Sequence, residues 1–148
     1  MALKQRLQED LKDALRARAE RRKAVIRLAL AAIGHAEVER DSDLSDEDVA
    51  AVLQKQAVLR RDTIAELEQA NRPDMLAREL AELAILEAYL PKQLSRDEIA
   101  EEARRVVAEV GATGPRDVGQ VMRALMARLK GRADGTVVNE IVREMLSG

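Results

Sequence analysis

A chain of 148 residues, 47% hydrophobic and 35% charged, has room for one ordinary domain or two small ones and can bury a real core. The absence of cysteine excludes disulfides, thiolate catalysis and cysteine-based zinc or iron–sulfur sites, and a formal net charge of -2 excludes the binding of polyanions by bulk charge. The apolar content is almost all Leu, Ala, Val, Ile and Met, with Tyr89 the sole aromatic residue, a composition that predicts aliphatically packed helices and an all-α fold.

Leu3, Leu7, Leu11 and Leu15 recur at i+4 and predict a first helix with one apolar stripe. A second, from Glu20 to Val38, spreads Val25, Ile26, Leu28, Leu30 and Ile33 around more than half its circumference, so it is expected to run through the middle of an N-terminal bundle. After the polar break Asp41-Ser42-Asp43-Leu44, Ser45 starts a third helix with Asp46, Glu47 and Asp48 at its positive end. Val49, Leu53, Ala57, Ile64 and Leu67 continue it to Asn71-Arg72-Pro73-Asp74, and Met75/Leu76, Leu80, Leu83 and Leu86 carry a fourth. Pro91 closes that helix, and with it a four-helix, bundle-like domain over 1–90 and a linker over 91–94.

Ser95 and Glu98 then read as a capping box for a helix lined by Ile99, Ala103, Val106 and Val110 and stopped at Gly111. Pro115 is placed at the first position of the next, with Val118, Val121, Met122, Leu125 and Leu129 inside. Asp134 caps a last helix bearing Val138, Ile141, Val142 and Met145, which completes a small three-helix C-terminal domain over 95–148. No run approaches the roughly 18 apolar residues of a membrane span. The first segment carries Glu9, Asp10, Asp13 and Glu20 and no serine, so it reads as neither a signal nor a transit peptide, and the cytoplasm is the expected compartment.

Catalytic constellations are missing. The chain has one histidine, His35, late in the second helix, too few for the usual triads and zinc sites, and His35-Ala36-Glu37 lacks the cysteine pair of a zinc deaminase. The carboxylates Asp41, Asp43, Asp46, Glu47 and Asp48 are explained by capping, because an EF-hand loop counted from Asp41 would put Asp46 and Val52 where glycine and glutamate are needed. Neither a metal nor a cofactor is expected.

Charge is distributed unevenly. Residues 1–40 hold ten Lys/Arg against six Asp/Glu, residues 41–100 seven against fourteen, and residues 101–148 eight against seven. Between 116 and 132, Arg116, Arg123, Arg128, Lys130 and Arg132 face the single acid Asp117. Arg116 and Arg123 are two helical turns apart, opposite the Val118/Val121/Leu125 stripe, and so are expected in solvent. Such a face suits a phosphate backbone, with glycines permitting close approach and the amides of the last helix adding donors; it also suits simple solvation. The hinge Lys130-Gly131-Arg132-Ala133-Asp134-Gly135 likewise has a plain structural reading, with Gly131 left-handed and Asp134 capping. A second basic cluster, Arg16, Arg18, Arg21, Arg22, Lys23 and Arg27, sits at the junction of the first two helices, where a solvated junction accounts for it. With Tyr89 alone available for stacking, a nucleic-acid partner is expected to be folded and double-helical, contacted through phosphates and 2′-hydroxyls, as tRNA is.

Three motifs carry a resemblance: Tyr89-Leu90-Pro91-Lys92-Gln93-Leu94, Gly119-Gln120-Val121-Met122, and the hinge followed by Val138-Asn139. With them the chain resembles the stand-alone YqeY family along its full length. Its C-terminal half is also similar to the tail domain of the B subunit of the tRNA-dependent amidotransferase, the GatB/YqeY domain. In that enzyme the B subunit is the one that contacts the tRNA, while the kinase and transamidation chemistry sits in a separate catalytic domain. This chain has no counterpart of the catalytic domain, nor a nucleotide loop to replace it, so amidotransferase activity is not carried over. The resemblance implies tRNA contact by the C-terminal helices, and residue match nominates Lys130, Gly131, Arg132 and Asn139. Gly114 before Pro115 departs from the serine of related sequences and is a weaker cap.

The expected function is therefore a non-catalytic tRNA-binding accessory protein using Arg116, Arg123, Arg128, Lys130, Gly131, Arg132 and Asn139. The alternative is a docking adaptor for an amidotransferase or aminoacyl-tRNA synthetase complex, through an apolar patch at Leu90 and Leu94.

Overall fold

The structure is a computed structural model that describes residues 2–147. It is all-helical: α1 (Leu3–Arg16), α2 (Glu20–Arg40), α3 (Asp46–Gln69), α4 (Pro73–Glu87), α5 (Arg96–Val110), α6 (Val118–Leu129) and α7 (Gly135–Leu146), with a 3-10 turn at Pro115–Asp117 and no strand among the described residues. The chain divides into two compact units, Met1–Pro91 and Lys92–Gly148.

In the first unit α3 packs along α4 and α1 along α2, while α2 also touches α3 and α4. Leu7, Ile26, Ile33, Leu53 and Leu86 are fully buried there. In the second, α5, α6 and α7 each contact the other two and enclose Val106, Val121, Leu125, Leu129, Val138 and Val142. Each such aliphatic side chain contributes roughly 1.5–3 kcal/mol of transfer free energy.

Local chemistry explains the helix ends. Ser45 Oγ accepts from the Asp48 amide at 3.2 Å, and Ser95 Oγ accepts from the Glu98 amide at 3.1 Å while Glu98 Oε1 takes the Ser95 amide at 3.0 Å. Gly111 ends α5 in the left-handed region at φ 70°.

Three expectations need correction. The i+4 stripe of α1 fails at its end: Leu15 is 45% exposed and Ala14 is buried instead. Each four-residue step advances about 40° around the helix, so Leu15 has rotated off the face that Leu7 and Ala14 share. Helix α2 contacts α1, α3 and α4, as a helix in the middle of the bundle should, but its apolar residues are not all inside. Its buried residues Val25, Ile26, Ala29 and Ile33 form one stripe, and Leu28 is left 58% exposed beyond it. Finally, Pro115 does not begin α6. Residues Pro115–Asp117 form a separate 3-10 turn in which the Asp117 amide donates to Gly114 C=O at 3.0 Å, and α6 begins at Val118.

Candidate nucleic-acid interface

The residues singled out in the sequence are carried by the 3-10 turn, α6, the hinge and, for Asn139, α7. Asp117, the only acid between positions 116 and 132, is already occupied. Its Oδ2 accepts from the amides of Thr113 at 2.8 Å and Gly114 at 3.3 Å, bonds that hold its carboxyl below the usual range. Arg116 beside it is exposed and makes no ion pair among the described residues. The same holds for Arg123 on α6, which projects opposite the buried Val121 and Leu125. Arg116 lies in the 3-10 turn rather than in α6, so the two-turn arithmetic of a continuous helix does not apply to the pair.

Arg128 is placed differently: its guanidinium is ion-paired with Glu109 of α5. Asn139 on α7 is half-buried, and its Oδ1 accepts from Arg143 Nε one turn on at 2.6 Å. Lys130, Gly131 and Arg132 are held together by the turn between α6 and α7. Gly131 is buried with φ 80°, a conformation that favours glycine, while Lys130 and Arg132 on either side are exposed. The Lys130 amide closes the last turn of α6 on Met126 C=O at 3.0 Å, and Asp134 Oδ1 caps α7 from the Thr136 amide at 3.3 Å.

Sequence reasoning missed two participants. Gln93 Nε2 donates to Gly131 C=O at 2.8 Å, and the Leu94 amide donates to Arg132 C=O at 2.9 Å. The segment read as a linker is thus fastened to the hinge from within the second unit. A glutamine between Pro91 and a capping serine was the one available sign, and nothing local names a partner 38 residues away. The leucines offered for docking are also accounted for: Leu90 packs against the first core and Leu94 against the second.

Among the described residues no group of three or more His, Asp or Glu side chains is gathered to hold a metal ion, and His35 is exposed on α2. No described helix is long and apolar enough to cross a membrane.

Residues 4–146 match the family model described as Yqey-like protein. The chain belongs to the YqeY-like family. A relative from Pyrenophora tritici-repentis, "Altered inheritance of mitochondria protein 41, mitochondrial", is 31% identical over 95% of this chain and 79% of its own length. The protein of the same name from Kluyveromyces lactis is 33% identical over 74% of this chain and 60% of its own length. The E subunit of the Glutamyl-tRNA(Gln) amidotransferase of Aeropyrum pernix is 37% identical over 59% of this chain, which spans only 14% of that protein. The family tie is therefore full-length, and the tie to an amidotransferase is that of a part. Two relatives are mitochondrial by name, so a cytoplasmic location does not follow from membership of the family.

Proposed function

We propose that this chain is a non-catalytic accessory module that contacts folded tRNA through the cationic surface of the 3-10 turn, α6 and the α6–α7 hinge. The observation that carries the reading is the state of the charges on that surface. Arg116, Arg123, Lys130 and Arg132 are exposed, and the one carboxylate between positions 116 and 132, Asp117, accepts from the backbone amides of Thr113 and Gly114. A phosphate backbone complements exposed cations of this kind. The partial match to a protein named for Glutamyl-tRNA(Gln) supports tRNA as the nucleic acid, and an amidotransferase or aminoacyl-tRNA synthetase assembly as the setting in which the module acts. Tyr89, the only aromatic ring, is buried, so no platform is offered for splayed single-stranded bases.

Titration against folded tRNA and an equally long unstructured RNA at two salt concentrations tests the reading. Salt-sensitive binding that prefers tRNA is expected, and Lys130→Ala with Arg132→Ala should flatten the log–log salt slope by roughly 0.7–0.9 for each phosphate no longer neutralised. Equal affinity and slope in that double variant would remove the hinge from the interface.

A further inference from the structure

We infer that Lys92-Gln93-Leu94 is a strap that fixes the geometry of the α6–α7 hinge, with Gln93 as the positioning residue for its cations; the bearing on RNA rests on the function proposed above. After α6 the chain folds back on itself. The amides of Arg132 and Ala133 both donate to Leu129 C=O, at 2.8 and 3.1 Å, so the N–H side of the turn faces the helix just left. Two carbonyls of the hinge belong to the strap, Gly131 C=O bound by Gln93 Nε2 and Arg132 C=O by the Leu94 amide. Both distances are ordinary for N–H···O hydrogen bonds.

Gly131 is buried, so its carbonyl without Gln93 would bear the desolvation cost of an unmade hydrogen bond. Glycine also has the widest backbone freedom of any residue, and φ 80° is one of several conformations open to it. The Gln93 bond selects among them. Rotation of the Gly131 peptide plane turns the chain on either side, and the side chains on either side are Lys130 and Arg132. The strap is itself anchored, because Leu94 packs in the second core and the next residue, Ser95, caps α5.

The strap also carries a cation to the same place. Lys92 Nζ lies 4.0 Å from Glu98 Oε2, and the Glu98 carboxyl is held low first by Ser95 and then by the charges of Lys92 and Arg132. One carboxylate is thus approached by a cation from the strap and another from the hinge.

Full-length Gln93→Ala and Gln93→Glu variants test this, the second keeping the size of the side chain but replacing the donor with an acceptor. Both should keep wild-type helix content and melting temperature to within a few degrees. Native-state hydrogen exchange followed by NMR should show the Leu94, Arg132 and Ala133 amides exchanging about tenfold faster while those inside α5 and α7 keep their protection. tRNA affinity should fall about three- to tenfold with an unchanged salt slope, because cations are misdirected rather than removed. Wild-type exchange at those three amides would overturn the strap, and so would uniform acceleration across α5, α6 and α7. Faster hinge exchange with undiminished tRNA affinity would overturn positioning. Were the wild-type chain itself not to bind tRNA, the functional proposal would fall and the exchange result alone would decide the strap.

Discussion

The two units put arginine to different uses. In Met1–Pro91, with 15 Lys/Arg against 18 Asp/Glu, cations join helices: Lys4 to Glu37 at 2.7 Å, Arg60 to Glu82 at 2.7 Å and to Glu79 at 3.2 Å, and Arg61 to Glu87 at 3.3 Å. Arg6 lies over the Tyr89 ring at 4.7 Å, and the tyrosine hydroxyl donates to Asp10, itself paired with Arg22 at 3.4 Å. In Lys92–Gly148, with 10 against 9, Arg96 of α5 reaches Glu140 of α7 and Arg128 of α6 reaches Glu109 of α5, but Arg116 and Arg123 enter no ion pair among the described residues. Near balance in the second unit conceals a one-sided surface. Net charge is silent about where the unpaired cations Arg116 and Arg123 stand.

The contrast makes its largest prediction at Arg60. Its side chain is 15% exposed and serves Glu82, which is 8% exposed. Arg60→Ala should cost about 3 kcal/mol in denaturant unfolding, because a buried carboxylate is left with only the longer contact from Arg78 at 3.4 Å. A cost under about 0.5 kcal/mol would mean that this network is no more than surface decoration. The opposite is expected of Arg116→Ala with Arg123→Ala. Stability should change by less than about 0.5 kcal/mol, while tRNA affinity and its salt slope both fall. A large stability loss there would erase the distinction between the units.

The smallest effect is on acid stability. The Glu98 and Asp117 carboxyls are held below their usual values of 4.5 and 3.8, so the folded state binds fewer protons than the unfolded one. Their contribution is complete above those values and is lost as pH falls through the lower folded ones. Circular dichroism between about pH 5 and pH 2 should show Glu98→Gln and Asp117→Asn losing less stability on acidification than the parent chain. Equal acid sensitivity in all three would show that these caps do not govern the acid limb.

Helix ends were readable in the sequence because their causes are local. Ser45, Ser95, Gly111 and Asp134 act on atoms a few residues away, and each stands where its chemistry placed it. Errors arose where geometry accumulates or a neighbour decides, as with the rotation of Leu15 off its stripe and the exposed flank of α2 at Leu28. The candidate surface was legible as a list of cations and less so as an arrangement. Glu109 claims Arg128 from another helix, and a glutamine far back in the chain holds the hinge. In neither case does the local pattern name the partner.

Tyr89 gives the molecule an optical asymmetry. It is the only aromatic ring, it is buried in the first unit, and a carboxylate and two guanidiniums surround it. Every near-ultraviolet signal therefore comes from that one environment, while the amides of all seven described helices contribute to the far-ultraviolet spectrum. Melting followed in both bands reads the first unit alone in one and the entire chain in the other. Coincident curves would mean a single cooperative transition, and divergent ones would give each unit its own melting point without a label or a truncation.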